Sequence, residues 1–349
     1  MQIEIYPVFH TRYHSLYLQG LISLFGRSRL KFTARGFPRF AAHCVGTGSQ
    51  RVARPGSSSG EGAGLDESSS GVHAERPRTH YLALRVRGEV ERKIFIHSDD
   101  WPDLDEVALD WCDVFGKVNL DPALVPEEYE SKIMALGPTM HVRVWGPIAS
   151  IAAGLRTYLA SPSACGGLRQ HLRSFRGHYG SGTPETEYRP TVAPSDYIFY
   201  NAALWEREPE ANALRARFVE AARSVEGIRF EGGLTPRDSG RSTRNYYPAE
   251  YEPYNCRRYT PQEYFAKTRI STVVMNNPAY AQAHSWRLAE YLAMGKAIIS
   301  TPLARSLPAP LVHGAHIHYV DGSVEGYRSA IAEICYNDDY RSHLERNAR

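Results

Sequence analysis

Short apolar runs and amphipathic segments alternate along most of this chain. In the first half, the apolar runs predict strands at residues 3–9, 30–33, 81–86, 93–97 and 114–118, with helices at 16–25 and 104–112. In the second half, the pattern predicts strands at 197–200, 228–230, 271–275, 297–299 and 316–320, with helices at 211–222, 261–267, 285–294, 324–336 and 338–346. This alternation is typical of a layered α/β fold with parallel strands.

Two stretches interrupt the pattern and divide the chain. Residues 46–76 consist largely of glycine, serine and charged side chains, with few large apolar ones to offset the entropy of ordering, and we predict a flexible insertion there. Residues 161–192 are rich in glycine, arginine and proline, which indicates a linker. We therefore predict an N-terminal domain at 1–160 and a C-terminal domain at 193–349.

The segment 284–300 carries the clearest local signal in the chain. Leu288, Tyr291 and Leu292 share one helical face, and Gly295 stands where a helix ends in a left-handed residue. The apolar run 297–299 then predicts a buried parallel strand. A helix start can hold an anion, and one acid, Glu290, lies inside the helix. The pattern indicates a binding site for a nucleotide sugar.

With Glu290, Gly295, Lys296 and the strand in these places, the segment resembles the donor-binding helix of GT-B-fold glycosyltransferases. Its amino-acid sequence is most similar to that of poorly characterised bacterial members, and the resemblance is clear over roughly 196–349. It implies two Rossmann-like α/β domains facing a cleft. It also implies that a sugar moves from a UDP- or GDP-linked donor to a glycan or other hydroxyl acceptor, in bacterial carbohydrate biosynthesis, without cofactor or divalent metal.

The same resemblance implies donor-binding residues along the helix. Ser285, Trp286 and Arg287 would lie at the donor phosphates; alternatively, Ser285 is a plain N-cap and Arg287 a solvated side chain. Glu290 would accept hydrogen bonds from the ribose hydroxyls; alternatively, it is an exposed helix glutamate. Many relatives carry a second acid eight residues before this one. Gln282 occupies that position, which leaves the stereochemistry of transfer open.

Two further donor contacts follow from the resemblance. Arg207, after the strand at 197–200, is the candidate cation for the diphosphate, since a guanidinium suits a forked contact to phosphate oxygens. The alternative is a surface arginine. Gly232, in the Gly–Gly pair after the strand at 228–230, is the candidate for backbone contacts to the base, and the alternative is an ordinary turn.

Transfer also needs a group that gives or takes a proton, which favours histidine or a perturbed carboxylate at the carboxyl end of a strand. His10 follows the first strand and Asp99 follows the strand at 93–97, and we predict that this pair is catalytic. Each is alternatively a loop residue. Asp103 and Asp105 form a D-x-D pair, a pattern that binds metal in glycosyltransferases of the other major fold. We instead expect Asp103 to cap a helix.

Composition narrows the remaining choices. A net charge of +3 is too mild to indicate nucleic-acid binding, although it leaves weak peripheral association with the inner face of a membrane open. Five scattered cysteines fit a reducing cytoplasm. GT-B relatives commonly continue with a helix beyond the position of Arg349, so the sequence indicates truncation or a first domain held differently. A non-catalytic nucleotide- or glycan-binding protein on the same scaffold stays open, because Gln282 replaces an acid.

Overall fold

The structure, a computed structural model, describes residues 1–38, 80–165, 167–237 and 246–349, so the insertion predicted at 46–76 lies outside the described residues. The predicted α/β class is confirmed. The strands are β1 Gln2–Ile5, β2 Leu30–Phe32, β3 Tyr81–Arg87, β4 Arg92–His97, β5 Val114–Val118, β6 Ile133–Leu136, β7 Tyr197–Ala203, β8 Arg229–Thr235, β9 Val273–Asn276, β10 Ala297–Ser300 and β11 His318–Tyr319. The helices are α1 Thr11–Phe25, α2 Glu106–Trp111, α3 Pro147–Ala160, α4 Pro162–Cys165, α5 Leu168–Ser181, α6 Pro209–Ser224, α7 Pro261–Ile270, α8 Trp286–Met294, α9 Val324–Tyr336 and α10 Asp338–Ala348.

The first sheet is mixed, with strand order β2-β1-β3-β4-β5-β6. Strand β3 runs antiparallel to both β1 and β4, while the other pairs are parallel. Strand β3 thus makes the first sheet mixed rather than purely parallel. The reason is the short connection 88–91, because only antiparallel strands can be joined by so few residues and parallel ones need a longer crossover.

Side chains alternate across the first sheet and pack into two cores. Leu82 and Leu84 of β3 face a core that also contains Ala153 of α3 and Phe175 of α5. Their neighbour Ala83 faces the opposite core, which α2 covers. Helix α5 lies within the range predicted as a linker. Its glycine and arginine content indicated a linker, although Leu168, Leu172, Phe175 and Tyr179 recur at helical spacing.

Among the described residues of the second half, every pair of strands is parallel. Strand β7 pairs with β8, and β10 pairs with β9 and β11. The Thr272 N–H donates to the Tyr197 carbonyl at 2.7 Å, which places β9 beside β7. Helices connect β7 to β8, β8 to β9 and β9 to β10, as in a doubly wound sheet. Among the described residues, no helix has the length and apolar character needed to cross a membrane.

Local signals gave one correct and two incorrect details. Gly295 ends α8 in the left-handed conformation, with φ 62° and ψ 52°, as predicted. Gly232 lies inside β8 rather than in a turn, with φ 113°, and a Cβ there would overlap the Tyr200 carbonyl oxygen. Asp105, not Asp103, caps α2 by accepting a hydrogen bond from the Ala108 N–H at 2.9 Å, because this helix begins at residue 106.

Candidate functional site

Residues that follow strands of the first sheet contact the loop before α8. The Asn119 Oδ1 accepts a hydrogen bond from the His284 N–H at 2.8 Å. The rings of Trp101 and Tyr280 meet edge to face, with centroids 5.3 Å apart. Asp121 forms an ion pair with Arg305. The carboxyl edge of the first sheet and the start of α8 therefore share one region, which we call the edge site.

At the N-terminus of α8 one side chain caps the helix, and two backbone N–H groups have no acceptor within it. The Ser285 hydroxyl accepts from the Leu288 N–H at 3.3 Å and donates to Asn276 Oδ1 at 2.7 Å, so this side chain serves as an N-cap. Trp286 and Arg287 are the first two helical residues, and their N–H groups have no acceptor within the helix. Such groups suit an anion, helped by the helix dipole.

Arg287 is not the solvated side chain of the alternative interpretation. It is partly buried, and its Nη2 donates to the Asn201 carbonyl at 2.7 Å. Its guanidinium carbon lies 5.4 Å from the centroid of the Tyr200 ring and 5.6 Å from that of Tyr264. These contacts fix the guanidinium close to the start of α8.

Glu290 lies one turn after Trp286 and is also partly buried, which contradicts the alternative of an exposed helix glutamate. Within the described part of the chain, no group donates a hydrogen bond to its carboxylate. Burial raises the pKa of Glu290 to about 7, although the positive charge of Arg287 opposes this shift. A carboxylate in this setting is available to accept hydrogen bonds from ligand hydroxyls.

The arginine predicted for the diphosphate is solvent-exposed. Within the described ranges, Arg207 lies in the turn after β7 and forms no hydrogen bond or ion pair, whereas Arg215 of α6 is only 6% exposed. Arg215 falls on the apolar face of α6 together with Ala211, Phe218 and Ala222. An arginine at an apolar position of a helix was the sequence signal that could have identified it.

Three arginines lie close together near the edge site. Burial lowers the pKa of Arg215, and the charges of Arg287 and Arg237 lower it further. The guanidinium carbons of Arg237 and Arg215 lie 4.5 and 5.4 Å from the centroid of the Trp205 ring, and the Arg215 Nε lies 3.5 Å from Asn277 Oδ1. No carboxylate among the residues that the structure describes forms an ion pair with any of the three. Their combined charge favours an anionic ligand.

The two residues predicted to be catalytic lie in one cluster. The His10 ring is 4.9 Å from that of Tyr13 and 5.6 Å from that of His80, and His80 Nδ1 is 3.6 Å from Asp99 Oδ2. Tyr13 meets Trp286 edge to face at 4.7 Å. Burial, with help from His80, lowers the pKa of His10 to about 4, so this imidazole is neutral at pH 7.

Two adjacent carboxyls in this cluster have opposite shifts in pKa. Burial opposes ionisation of Asp99, but His80, His97 and Lys117 outweigh it and hold the pKa of Asp99 well below its usual range. Burial raises the pKa of Asp100, and the charge of Asp99 raises it further. Acids whose pKa values are separated in this way can take different roles in one reaction.

Lys117 and Asn119 were missed in the sequence. Lys117 is fully buried in β5, and its Nζ donates to the Trp101 carbonyl at 2.7 Å; burial lowers its pKa to about 8. Asn119 has φ 63°, and its Nδ2 donates to the Asp99 carbonyl at 3.0 Å. A lysine in an apolar strand was a visible sign of a buried functional group. The role of Asn119 could not be predicted, because it depends on a contact with His284, which is distant in the sequence.

The pH dependence of stability tests the setting of Glu290. Its pKa is higher in the folded protein than the ordinary 4.5, so its favourable contribution is complete below pH 4.5 and is lost as the pH rises through about 7. We expect the difference in free energy of unfolding between Glu290→Gln and wild type to move in favour of the variant from pH 4.5 to pH 8. The expected change is roughly 1 to 3 kcal/mol. Urea unfolding at both pH values measures this difference. Glu333→Gln, at an exposed position of α9, is the control and should show none.

Comparisons with known proteins give neighbours in structure alone. No protein-family model matches the sequence, and no curated protein does. The C-terminal domain of a group 1 family glycosyl transferase from Francisella tularensis is 13% identical over 48% of this chain and 94% of its own, with a TM-score of 0.32. A sucrose-phosphate synthase from Thermosynechococcus elongatus is 15% identical over 68% of both chains, with a TM-score of 0.34.

A putative UDP-N-acetylglucosamine 2-epimerase from Listeria monocytogenes is 10% identical, covering 69% of this chain and 71% of its own, with a TM-score of 0.31. At these scores the likeness carries no argument about activity, so the case for function rests on the residues of the edge site.

Proposed function

We propose that this protein is a glycosyltransferase of the GT-B type, which moves a sugar from a nucleoside-diphosphate donor to a hydroxyl acceptor. The observation that carries the proposal is the start of α8. The N–H groups of Trp286 and Arg287 have no acceptor within the helix, and the three arginines lie beside them. One turn further along α8, the partly buried carboxylate of Glu290 accepts no hydrogen bond from the described residues. A site for an anion thus lies beside a carboxylate that can accept hydrogen bonds from hydroxyl groups. This arrangement matches a nucleoside diphosphate, which combines phosphates with a ribose diol.

In this proposal the donor diphosphate binds the N–H groups of Trp286 and Arg287. The guanidinium groups of Arg215 and Arg287 stabilise the charge that develops on the departing diphosphate, so a metal ion is not required. The carboxylate of Glu290 accepts hydrogen bonds from the ribose hydroxyls, which restricts where the sugar lies. Ser285 takes part through its backbone, because its hydroxyl already caps α8.

The acceptor in this proposal approaches from the first sheet. The ring contact between Tyr13 and Trp286 brings the His10–Asp99 cluster beside the helix start. Asp99, whose pKa is held low so that it is ionised, takes the proton from the acceptor hydroxyl as the bond to the sugar forms and the bond to the diphosphate breaks. Neutral His10 orients the acceptor through a hydrogen bond.

Nucleotide binding is the first test. We expect UDP or GDP to raise the thermal midpoint by several degrees at millimolar concentration, since binding to the folded state alone stabilises it by mass action. The matching monophosphate should stabilise less, because it lacks one phosphate for the arginines. Absence of stabilisation by any nucleoside diphosphate or its sugar would falsify the proposal.

A non-catalytic binding protein is the second candidate, favoured by Gln282. This side chain is exposed and has φ 62°, at the position where many GT-B relatives have an acid. A donor-hydrolysis assay separates the two candidates. Nucleotide binding without hydrolysis or transfer, unchanged by Asp99→Asn, would favour the binding protein.

A further inference from the structure

A row of exposed apolar side chains runs along α3. Ile148, Ile151, Leu155 and Leu159 are spaced by three or four residues and so share one face of the helix. They are 83%, 48%, 40% and 74% exposed. Apolar side chains of this size and exposure, grouped along one helix, mark an interaction surface rather than scattered surface residues.

Helix α5 presents a basic row on the same side of the first sheet. Ala153 of α3 and Phe175 of α5 belong to one core beneath both helices, and Thr157 Oγ1 lies 2.7 Å from His171 Nε2 where the helices meet. The faces that point away from this core therefore look in the same direction. On α5 that exposed face carries Arg169, Arg173 and Arg176. We call the apolar row of α3 and the basic row of α5 together the α3–α5 face.

The charge of this region is one-sided. Residues 131–184 contain six lysines or arginines and neither Asp nor Glu, although the whole chain has a net charge of only +3. An apolar groove of 610 Å³ adjoins α3, lined by Phe32 and Trp145 and bordered by Arg27, Lys31 and Arg156. Positive charge thus borders apolar surface on both sides of α3.

We propose that the α3–α5 face binds the surface of an anionic lipid bilayer. The apolar row enters the boundary between headgroups and acyl chains, while the arginines contact headgroup phosphates. A nucleic acid offers no apolar layer for the exposed α3 side chains. A second copy meeting this face symmetrically would bring two basic rows together, which is unfavourable. Vesicle binding is measured without nucleotide, so its result is independent of whether the edge site binds a nucleotide.

Vesicle sedimentation tests this proposal with the full chain. We expect binding to vesicles of mixed phosphatidylglycerol and phosphatidylcholine, little binding to phosphatidylcholine alone, and weakening as salt screens the charges. Arg169→Gln with Arg173→Gln should weaken binding about 30-fold, given about a fivefold loss per basic residue. Ile148→Ser with Leu159→Ser should also weaken it, and both pairs should unfold at the wild-type temperature, since these side chains are exposed.

Matched control variants replace exposed apolar and basic residues outside the α3–α5 face. Val192→Ser and Val312→Ser replace exposed apolar residues, at 98% and 50% exposure, and Arg346→Gln replaces an exposed arginine of α10. These variants should bind vesicles like wild type. Equal binding to neutral and anionic vesicles, equal loss in the controls, or no binding at all would overturn the proposal. So would concentration-dependent self-association that Ile148→Ser with Leu159→Ser abolishes, or capture by duplex DNA that vesicles do not displace.

Discussion

Replacing Arg287 with methionine is expected to weaken nucleoside-diphosphate binding about 30- to 1,000-fold, the range for loss of a buried charged contact. In the proposed site the guanidinium lies between the phosphates and the Tyr200 and Tyr264 rings, close to the start of α8. Methionine keeps much of the apolar volume but removes the charge and the hydrogen bond to Asn201. Isothermal titration with UDP and GDP measures the change.

Arg207→Met is the matched control for this experiment. The sequence made both arginines donor ligands, but Arg207 is exposed while Arg287 is partly buried at the helix start. We expect Arg207→Met to change affinity less than about twofold, as is common for exposed charges. Arg287→Lys separates charge from shape, because lysine lacks the planar fork and should recover only part of the affinity. The reverse pattern, with Arg207 essential and Arg287 neutral, would contradict the site described above.

Asp99→Asn is expected to lower kcat about 100- to 10,000-fold while nucleotide affinity stays within about threefold, the signature of a lost proton acceptor. Asparagine keeps the shape of the side chain but cannot take a proton. His80, His97 and Lys117 surround this carboxylate, so its replacement also changes their surroundings. Thermal unfolding of the variant shows whether any loss of activity reflects loss of fold. Donor turnover with a saturating acceptor gives kcat.

Asp103→Asn provides the comparison, four residues further along the chain. Asp103 is exposed and does not cap α2, so its replacement should leave kcat within about twofold. A large loss in Asp103→Asn that added Mn²⁺ modifies would instead support metal binding by the D-x-D pair. A wild-type kcat in Asp99→Asn would remove this residue from the mechanism and leave His10→Gln as the next variant to measure.

Much of the fold followed from local pattern. The strand at Val114–Val118 and the helix at Val324–Tyr336 have the predicted limits, because apolar spacing and neighbouring caps act over a few residues. Helix α3 and helix α5 were missed. In α3 the exposed side chains are apolar, so this helix lacks the usual division into a buried apolar face and a polar one. Helix α5 has that division, with Phe175 buried and Arg173 and Arg176 exposed, but its glycine and arginine content indicated a linker.

The direction of β3 and the burial of Arg215 also escaped the sequence. Pattern alone gives a strand but not its direction, which here depends on the short connection to β4. Arginine is mostly exposed in proteins, and the place of Arg215 on the apolar face of α6 was the local sign that this one is buried. Its hydrogen bond to the Ala203 carbonyl, at 2.6 Å, forms because the end of β7 lies beside α6 in space.

The sequence by itself determined the unit from Ser285 to Ile299. A cap, one apolar helical face, a left-handed glycine and a β-branched run are all set by neighbours in the chain, so they could be predicted without the fold. Only the tertiary structure decided that His10 and Asp99 meet through His80 and that Tyr13 brings them to Trp286. Those contacts join residues far apart in sequence, and their distances depend on how the strand ends of the first sheet pack against the start of α8.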